Sequence, residues 1–343
     1  MTTILDVSRR VGVSKSTVSK VLNGTGRVSE ATKKAVFEAV KELDYRPNVL
    51  ARSLSMKTTD TIGLIIPDAY GSAQYINNLI DMTQRLANDS GKFLMISQVD
   101  GNDIESSIQS IRKLVDRRCD GIIYYKSSRI EGSDIGDKLE SLIDELPIPL
   151  VVLNHHLTNK PDHCVWFDQV TTARLAVDCL IDNGHRDIAY IAGRYQLLTS
   201  RLRLQGYQES LKSAGIDLNP LLIAEALDCR HQGGYDACIS LIERDIPFSA
   251  VCCFSDAVAI GAIKALREKG IAVPEHVSVF GLDNDDVSSF IDPPLSTIAM
   301  PVDEIINTAG RMLLNLMNNE TPPTLKESLT GELIVRQSTQ SLI

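Results

Sequence analysis

Several features that would assign this 343-residue chain to a common class are scarce or missing. No run approaches the roughly 18 apolar residues of a membrane-spanning helix, and the first residues, MTTILDVSRRVG, carry charges where a signal peptide is apolar. We therefore expect a cytoplasmic protein with no membrane partner. The motifs G-x-G-x-x-G, G-x-x-x-x-G-K-[ST], H-E-x-x-H and G-x-S-x-G do not occur. Nucleotide-dependent and common hydrolytic chemistries thus lack their usual signals, and we expect no enzyme.

The seven cysteines lack the spacing of a functional set. Their number is odd, no C-x-x-C pair occurs, and most lie in apolar runs such as SAVCCF, so we expect reduced thiols in the core. A group formed by His155, His156, His163 and Cys164 matches no zinc-ligand spacing. A polar loop at the end of a strand explains this group, and we expect neither a metal nor a cofactor.

Positive charge is concentrated at the start of the chain. Residues 1–58 contain eleven Lys or Arg and five Asp or Glu, a net charge of +6. The rest of the chain must therefore carry −15 to give the total of −9. A basic head on an acidic body suggests that the head meets a polyanion and the body does not. The length allows about two or three domains.

The head has the pattern of three short helices. Thr3 and Asp6 form a weak capping box for the first helix, which ends near Gly12. Ser14 caps a second helix whose Val18, Val21 and Leu22 face inward, and Asn23-Gly24 ends it. Ser29 opens the third helix, and a turn of about three residues between the first two is typical of a helix-turn-helix.

Hydroxyl and lysine side chains occupy the outer, N-terminal part of the second helix, where a recognition helix meets base edges and phosphates. They are Lys15, Ser16, Thr17, Ser19 and Lys20. A solvated helix face is the plain alternative. Beyond the third helix, Pro47 can start a segment of about ten residues that is too short to be a stable isolated helix, so it would become helical only on contact with a partner.

The stretch TILDVSRRVGVSKSTVSKVLNG, followed by RVSEATKKAVFEAVKELDYRPNVLARSL, resembles the DNA-binding head and hinge of the lactose and galactose repressor (LacI/GalR) family. The resemblance implies base-reading roles for Lys15, Ser16 and Lys20. It implies phosphate contacts for six further residues, namely Ser14, Thr17, Ser19, Asn23, Ser29 and Thr32. It also implies that Leu54, flanked by Ala51 and Arg52, wedges into the minor groove.

From residue 61 onward, short apolar runs alternate with amphipathic segments. We predict buried parallel strands flanked by helices, an α/β body, from these runs: TIGLIIP, KFLMISQ, GIIYYK, PLVVLN, DIAYIAG, SAVCCFS and VSVFGLD. Together with the head, this gives a helix-turn-helix domain at 1–46, a hinge helix and linker at 47–60, and a two-lobed effector-binding and dimerisation domain at 61–343.

Ligands of parallel sheets bind at the carboxyl ends of strands, where polar residues follow the apolar runs. These residues are Asp68, Asn154, Ser255-Asp256 and Asp283-Asn284, with Arg203 in the helical stretch RLRLQGY. Their carboxylate, amide and guanidinium groups suit the vicinal hydroxyls of a sugar. For any single position, a strand end that is merely polar is the plainer explanation.

The body is similar to the periplasmic-binding-protein-like core of the same family over nearly its whole length. That resemblance places Arg203 and Asp283 at the family's main effector-binding Arg and Asp, and matches Asn154 and Tyr75 to further contacts. Two departures are Ser255, where relatives usually have Asn, and Cys229, where many have an aromatic platform. The segments VVLNHHLTN, VWFD and FSAVCCFSDAVAIGAIKAL look most like repressors of β-glucoside use.

We therefore expect a homodimeric repressor of carbohydrate-utilisation genes that binds a near-palindromic operator and is released by a sugar such as a β-glucoside or its phosphate. A sugar-binding protein of the transport type is the alternative, since it would share the body; it should lack the basic head. Trp166 in VWFD could face a sugar ring, although a lone Trp in an apolar strand more often belongs to the core.

Overall fold

The computed structural model describes residues 2–22, 24–45, 59–68, 73–323 and 329–343. The chain divides into two compact units, Met1–Asp60 and Thr61–Ile343. The predicted hinge helix at 47–60 lies outside the described residues except for its last two positions. Each unit has its own core.

In the described part of the first unit there are three helices, α1 (Ile4–Val11), α2 (Lys15–Leu22) and α3 (Glu30–Glu42). The predicted caps are present, because the Thr17 N–H donates to Ser14 Oγ at 3.1 Å and the Thr32 N–H donates to Ser29 Oγ at 3.3 Å. Five small side chains, Val7, Val18, Val21, Val36 and Ala39, form the buried centre. The predicted three-helix head is therefore confirmed.

The second unit contains two parallel sheets. The first has the strand order β2-β1-β3-β4-β5, with strands β1 (Thr61–Pro67), β2 (Phe93–Val99), β3 (Gly121–Tyr125), β4 (Leu150–Leu153) and β5 (Cys164–Val165). The second has the order β7-β6-β8-β9, with strands β6 (Ile188–Ala192), β7 (Ile223–Glu225), β8 (Ala250–Cys253) and β9 (Ser278–Phe280). An antiparallel pair, β10 (Thr297–Ala299) and β11 (Glu332–Ile334), follows later in the chain.

Helices cover both faces of the two sheets, as the alternating pattern predicted. They are α4 (Ala73–Asp89), α5 (Ile104–Asp116), α6 (Ile135–Glu145), α7 (Gln169–Asp182), α8 (Leu198–Ser213), α9 (His231–Glu243), α10 (Asp256–Glu268) and α11 (Val302–Met317). Short 3₁₀ turns occur at Pro161–His163, Pro220–Leu222 and Asp286–Ser289. The two-lobed α/β prediction is confirmed.

The chain crosses between the lobes more than once, which ties them together. After the second sheet it returns to the first lobe as α11, which packs against β3, β4 and β5 and places Ile305 and Ile306 in the core of that lobe. The C-terminal tail then returns to the second lobe, where the Val279 N–H donates to the Ser338 carbonyl at 2.7 Å.

One strand differs from expectation. KFLMISQ forms β2 as predicted, but it is an edge strand, and Phe93 and Ile96 are 69% and 45% exposed. The prediction of a buried strand was wrong here. A continuous apolar run does not show whether its strand lies in the centre of a sheet or at an edge, where one side is unpaired. All seven cysteines are unpaired, and all except the half-buried Cys179 are buried, as predicted.

Candidate functional site

The outer face of α2 presents the predicted DNA-reading side chains. Lys15, Ser16 and Lys20 are exposed, whereas Thr17 and Ser19 are half-buried beside the core residue Val18. Helical periodicity produces this division, because Val18 and Val21 point toward α1 and α3 while the positions between them point outward.

Hydroxyl groups at the start of α2 form a local network. Ser14 Oγ lies 2.7 Å from Ser16 Oγ and 2.8 Å from Thr17 Oγ1. At α3, Ser29 Oγ and Thr32 Oγ1 are likewise 2.8 Å apart. Helix N-termini that end in hydroxyls suit phosphate oxygens. The remaining predicted DNA contacts lie outside the described residues: Asn23, Ala51, Arg52 and Leu54.

In the second unit, one cavity between the two sheets collects all six predicted effector residues. Asp68, Tyr75 and Asn154 line it from the first lobe, and Arg203, Ser255 and Asp283 line it from the second. The cavity volume is about 130 Å³. Its position follows from topology, since both strand orders reverse at a central strand and carboxyl ends converge there.

Arg203 is held at the cavity wall by four acceptors. It lies on α8 and is 5% exposed. Its Nε donates to Gln169 Oε1 at 2.8 Å, its Nη1 donates to the Phe254 carbonyl at 2.5 Å, and its Nη2 lies 3.3 Å from Asp283 Oδ1 and 3.9 Å from Met300 Sδ. The Phe254 ring lies under the guanidinium, 5.0 Å from Cζ. A guanidinium fixed in this way is pre-organised, so its remaining N–H, on Nη1, can bind a ligand at little entropic cost.

Asp283 supplies the matching acceptor. Its backbone has a φ of 125°, which a residue other than glycine adopts only under constraint, and its N–H donates to the Ile298 carbonyl at 2.9 Å. Burial raises the pKa of Asp283 to about 7, while Arg203 beside it acts to lower the pKa. Strained backbone and a perturbed carboxyl in one cavity mark a functional position.

A second Arg–Asp pair lies in the first lobe. Asp68 follows β1, and it accepts hydrogen bonds from the Gly101 N–H at 2.9 Å and from Arg129 Nη2. Arg129 Nη2 also donates to the Asp68 carbonyl at 3.1 Å. The hydrogen bond from Gly101 holds the pKa of Asp68 below its usual value, although partial burial opposes it. Both lobes therefore present an arginine that is already paired with a carboxylate.

Tyr75 and Asn154 complete the predicted set. The Tyr75 and Tyr125 rings have centroids 5.7 Å apart, and burial raises the pKa of both phenols, that of Tyr125 to about 12. Asn154 has a φ of 62°, and its Nδ2 donates to the Lys126 carbonyl at 3.0 Å. This bond uses a donor of Asn154, a residue that lines the cavity, and none of the acceptor capacity of its Oδ1.

The polar pairs after β8 and β9 divide between two roles. Ser255 lines the cavity and caps α10, since it accepts from the Val258 N–H at 3.4 Å. Asp256 faces the other way, is fully buried, and accepts from the Asp285 N–H and from two hydroxyls. Asn284 instead accepts from Arg336 Nη2 at 2.7 Å. Asp256 and Asn284 are therefore structural. The sequence pattern alone could not distinguish them from the cavity residues Ser255 and Asp283.

Several cavity residues were not among the predicted effector contacts. They are Ser127, Ser128, Arg129, Gln169, Thr199 and Phe254. Ser127, Ser128 and Arg129 follow one residue after the end of β3, so the rule that identified Asp68 could have found them. Gln169 and Thr199 begin helices, where a single polar residue is unremarkable. Trp166, assigned to the core as the more frequent case, lines the cavity while its ring meets His156 edge-on at 5.2 Å.

Two contacts join the lobes. Arg201 on α8 pairs with Glu131 in the loop after β3, with Nη1 and Oε1 2.8 Å apart. Nearby, the Leu198 N–H donates to the Ser128 carbonyl at 3.2 Å. Both contacts join a residue after β3 to α8, one on each lobe.

Within the described ranges, no helix is both long and apolar enough to cross a bilayer. The same residues hold no group of three or more His, Cys, Asp and Glu side chains placed to bind a metal ion. The histidine group predicted to be a polar loop follows β4, where His163 Nδ1 lies 2.8 Å from the Leu150 carbonyl.

Comparison with known families gives two matches. Residues 3–48 match the bacterial regulatory proteins of the lacI family, and residues 177–339 match the periplasmic binding protein-like domain. The chain is 40% identical over 340 residues to the HTH-type transcriptional regulator AscG of Escherichia coli K12, covering 98% of each chain. Transcriptional regulators of this type are not enzymes.

Two solved structures extend the comparison. The lac repressor dimer bound to operator and to the anti-inducer ONPF is 26% identical, with a TM-score of 0.85 over 99% of both chains. A complex of the transcriptional regulator CelR with cellobiose is 27% identical, with a TM-score of 0.68 over 98% of this chain and 100% of that one. The fold is thus shared along the whole chain with regulators that carry both a DNA-binding head and a ligand-binding body.

Proposed function

The chain belongs to the lacI family of bacterial regulatory proteins, and we propose that it represses carbohydrate-utilisation genes and leaves its operator when a sugar fills the cavity. It is a DNA-binding transcriptional regulator with a sugar-binding body. The proposal concerns its response to an effector and the residues that bind that effector. We place its action in the cytoplasm, where operator DNA is found.

The basic head reads DNA. As a homodimer, the protein places one α2 in each of two adjacent major-groove half-sites of a near-palindromic operator. Lys15, Ser16 and Lys20 contact bases, since they are the exposed polar residues of α2. The remaining predicted residues of the head contact phosphates, and residues 47–60 form the hinge that carries Leu54 into the minor groove.

The body binds a sugar through the pair formed by Arg203 and Asp283, which is the observation that carries the proposal. A guanidinium that donates and a carboxylate that accepts, 3.3 Å apart on one cavity wall, match two neighbouring hydroxyls of a pyranose. Aromatic surfaces of Tyr125 and Trp166 on the opposite lobe suit the apolar face of such a ring. A β-glucoside is the favoured effector, in keeping with the CelR–cellobiose complex, a structural neighbour.

Sugar binding acts on DNA through the lobes. A ligand that contacts both lobes stabilises one lobe arrangement over another, and it shifts the population only by its difference in affinity for the two. Because the first lobe follows directly on the hinge, its rotation changes the spacing of the two hinges in a dimer. The sugar then weakens operator binding.

Operator binding and its release are both measurable on the full chain. DNA selected from a random library should yield a near-palindromic site, and Leu54→Ala should weaken binding to that site more than binding to unrelated DNA. Cellobiose or an aryl β-glucoside should lower the affinity of the wild type for this site. In Arg203→Ala the site should still bind and the sugar should have no effect; a retained response would overturn the effector assignment.

A further inference from the structure

The charged side chains of the cavity are already matched with one another. Arg203 Nη2 lies 3.3 Å from Asp283 Oδ1, and these side chains are 6% and 12% exposed. In the other lobe, Arg129 pairs with Asp68, and the arginine side chain is 11% exposed. Each cationic group that lines the cavity thus has a carboxylate as its direct neighbour.

No other Lys or Arg occurs among the described residues that line this cavity. The stretch between Asp68 and Ala73 reads AYGS and adds none. The nearest lysine by position is Lys126, whose neighbours Tyr125 and Ser127 line the cavity, but Lys126 itself is 2% exposed and does not. An anion in the cavity therefore meets no cation without a carboxylate beside it.

Helix N-termini often bind anions, and at three described helices beside the cavity N–H groups of the first turn already bind the protein's own acceptors. At α7, Asp168 accepts from the Thr171 N–H at 2.9 Å. At α10, Ser255 is the cap. At α8, the Leu198 N–H donates to Ser128 of the other lobe. These N–H groups are not available to a phosphate.

The surroundings add negative charge. A depression next to the cavity shares Tyr75, Asp283 and Met300 with it. This depression is lined by three further carboxylates, those of Asp285, Asp286 and Asp303. A phosphate ester carries a charge of about −1.5 to −2 at neutral pH. Like charges within a few ångströms of it in a partly desolvated site are strongly unfavourable.

We propose that the cavity takes an uncharged saccharide and discriminates against the same saccharide when it carries a phosphate. This inference rests on the proposed sugar response and narrows it to one chemical class. Hydroxyl groups can use the paired arginines and carboxylates together, because each hydroxyl both donates and accepts. A phosphate dianion only accepts, so at each arginine it must share the guanidinium with a carboxylate, and repulsion between the two anions opposes that bond.

Calorimetric titration of the full-length protein with matched pairs tests the proposal. The probes are cellobiose against cellobiose 6′-phosphate, and salicin against salicin 6-phosphate. The uncharged member of each pair should bind at least about tenfold more tightly, a free-energy difference comparable to the contribution of one hydrogen bond. Equal or tighter binding of the phosphate would overturn this inference and leave the sugar response standing. If no member of either pair binds, the sugar response fails and this inference fails with it.

A substitution in the first lobe gives the decisive contrast. Asp68→Asn removes the carboxylate that neutralises Arg129, so the ratio of phosphorylated to uncharged affinity should rise by about tenfold. Asp217→Asn, an exposed acid remote from the cavity, makes the same charge change and should leave the ratio unaltered. An unchanged ratio in Asp68→Asn would contradict the proposal. The proposal would also be contradicted if the phosphorylated saccharide bound and Lys126→Met abolished that binding. Such a result would show that the buried lysine contacts the phosphate.

Discussion

Replacing Asp283 with asparagine isolates the charge of the buried carboxylate in the cavity. Burial raises the pKa of this group to about 7 from an ordinary value of 3.8. Asparagine keeps the shape of the side chain and cannot titrate. We therefore expect the effector affinity of the wild type to depend on pH near neutrality, and that of Asp283→Asn to be nearly independent of pH.

The sign of the dependence follows from the hydrogen bonds. Sugar hydroxyls donate to an ionised carboxylate more strongly than to a neutral one, so the effector favours the ionised form of Asp283. Affinity should be highest above the pKa and should fall as the pH drops through it, by at most about tenfold per pH unit.

Stability without effector should change in the opposite direction. Because the folded-state pKa of Asp283 is raised, its contribution to stability is fully present below the unfolded value of 3.8 and is lost as the pH rises through about 7. A shift of about three units corresponds to roughly 4 kcal/mol. Asp283→Asn should therefore unfold at a higher urea concentration than the wild type at alkaline pH, and at a similar concentration in acid.

Two measurements check this reasoning. Calorimetric titration with the effector at pH values on both sides of the pKa gives the affinity, and urea unfolding at the same pH values gives the stability. Equal pH dependence of affinity in the wild type and in Asp283→Asn would refute the assignment of the titrating group to Asp283. Loss of stability in Asp283→Asn at alkaline pH would show that its ion pair outweighs the cost of burial.

Two further substitutions test the packing and the closure of the lobes. Gly206→Ala should lower the free energy of unfolding by about 1–3 kcal/mol and weaken effector binding, because its methyl group would meet the backbone of α7 at 2.4 Å and displace α8. The control is Gln205→Ala, an exposed position on the same helix, which should change neither property. An equal loss in both variants would contradict this prediction. Glu131→Gln removes the ion pair with Arg201 that joins the two lobes. It should weaken effector binding by up to about fivefold at low salt, an effect that shrinks at ~1 M salt. Glu145→Gln breaks an exposed pair within one lobe and is its control; a loss that persists in high salt would argue against an electrostatic contact.

Local sequence signals predicted the head in detail. Ser14 and Ser29 cap their helices because short hydroxyl side chains reach the free N–H groups of a first turn, and the spacing of Val18 and Val21 sets the buried face of α2. In the body, apolar runs predicted the strands, but β2 showed that a run does not reveal whether its strand is central or at an edge. That property depends on pairing with residues distant in the chain.

The cavity was predictable where chemistry and position coincide. Asp68, Asn154 and Ser255 follow strands that end at the cavity, so the strand-end rule located them. The partners that hold the arginines could not be predicted in this way. Gln169 meets Arg203 from a helix 34 residues away in sequence, and only the fold brings them together.

The measurement that tests the central claim most directly is operator binding by Arg203→Ala with and without sugar. Fluorescence anisotropy with a selected near-palindromic operator gives both affinities in one titration. The account predicts that the wild type and Arg203→Ala bind this DNA equally well, and that cellobiose or salicin releases only the wild type. Release of both proteins by the sugar, or failure of either to bind any selected site, would contradict it.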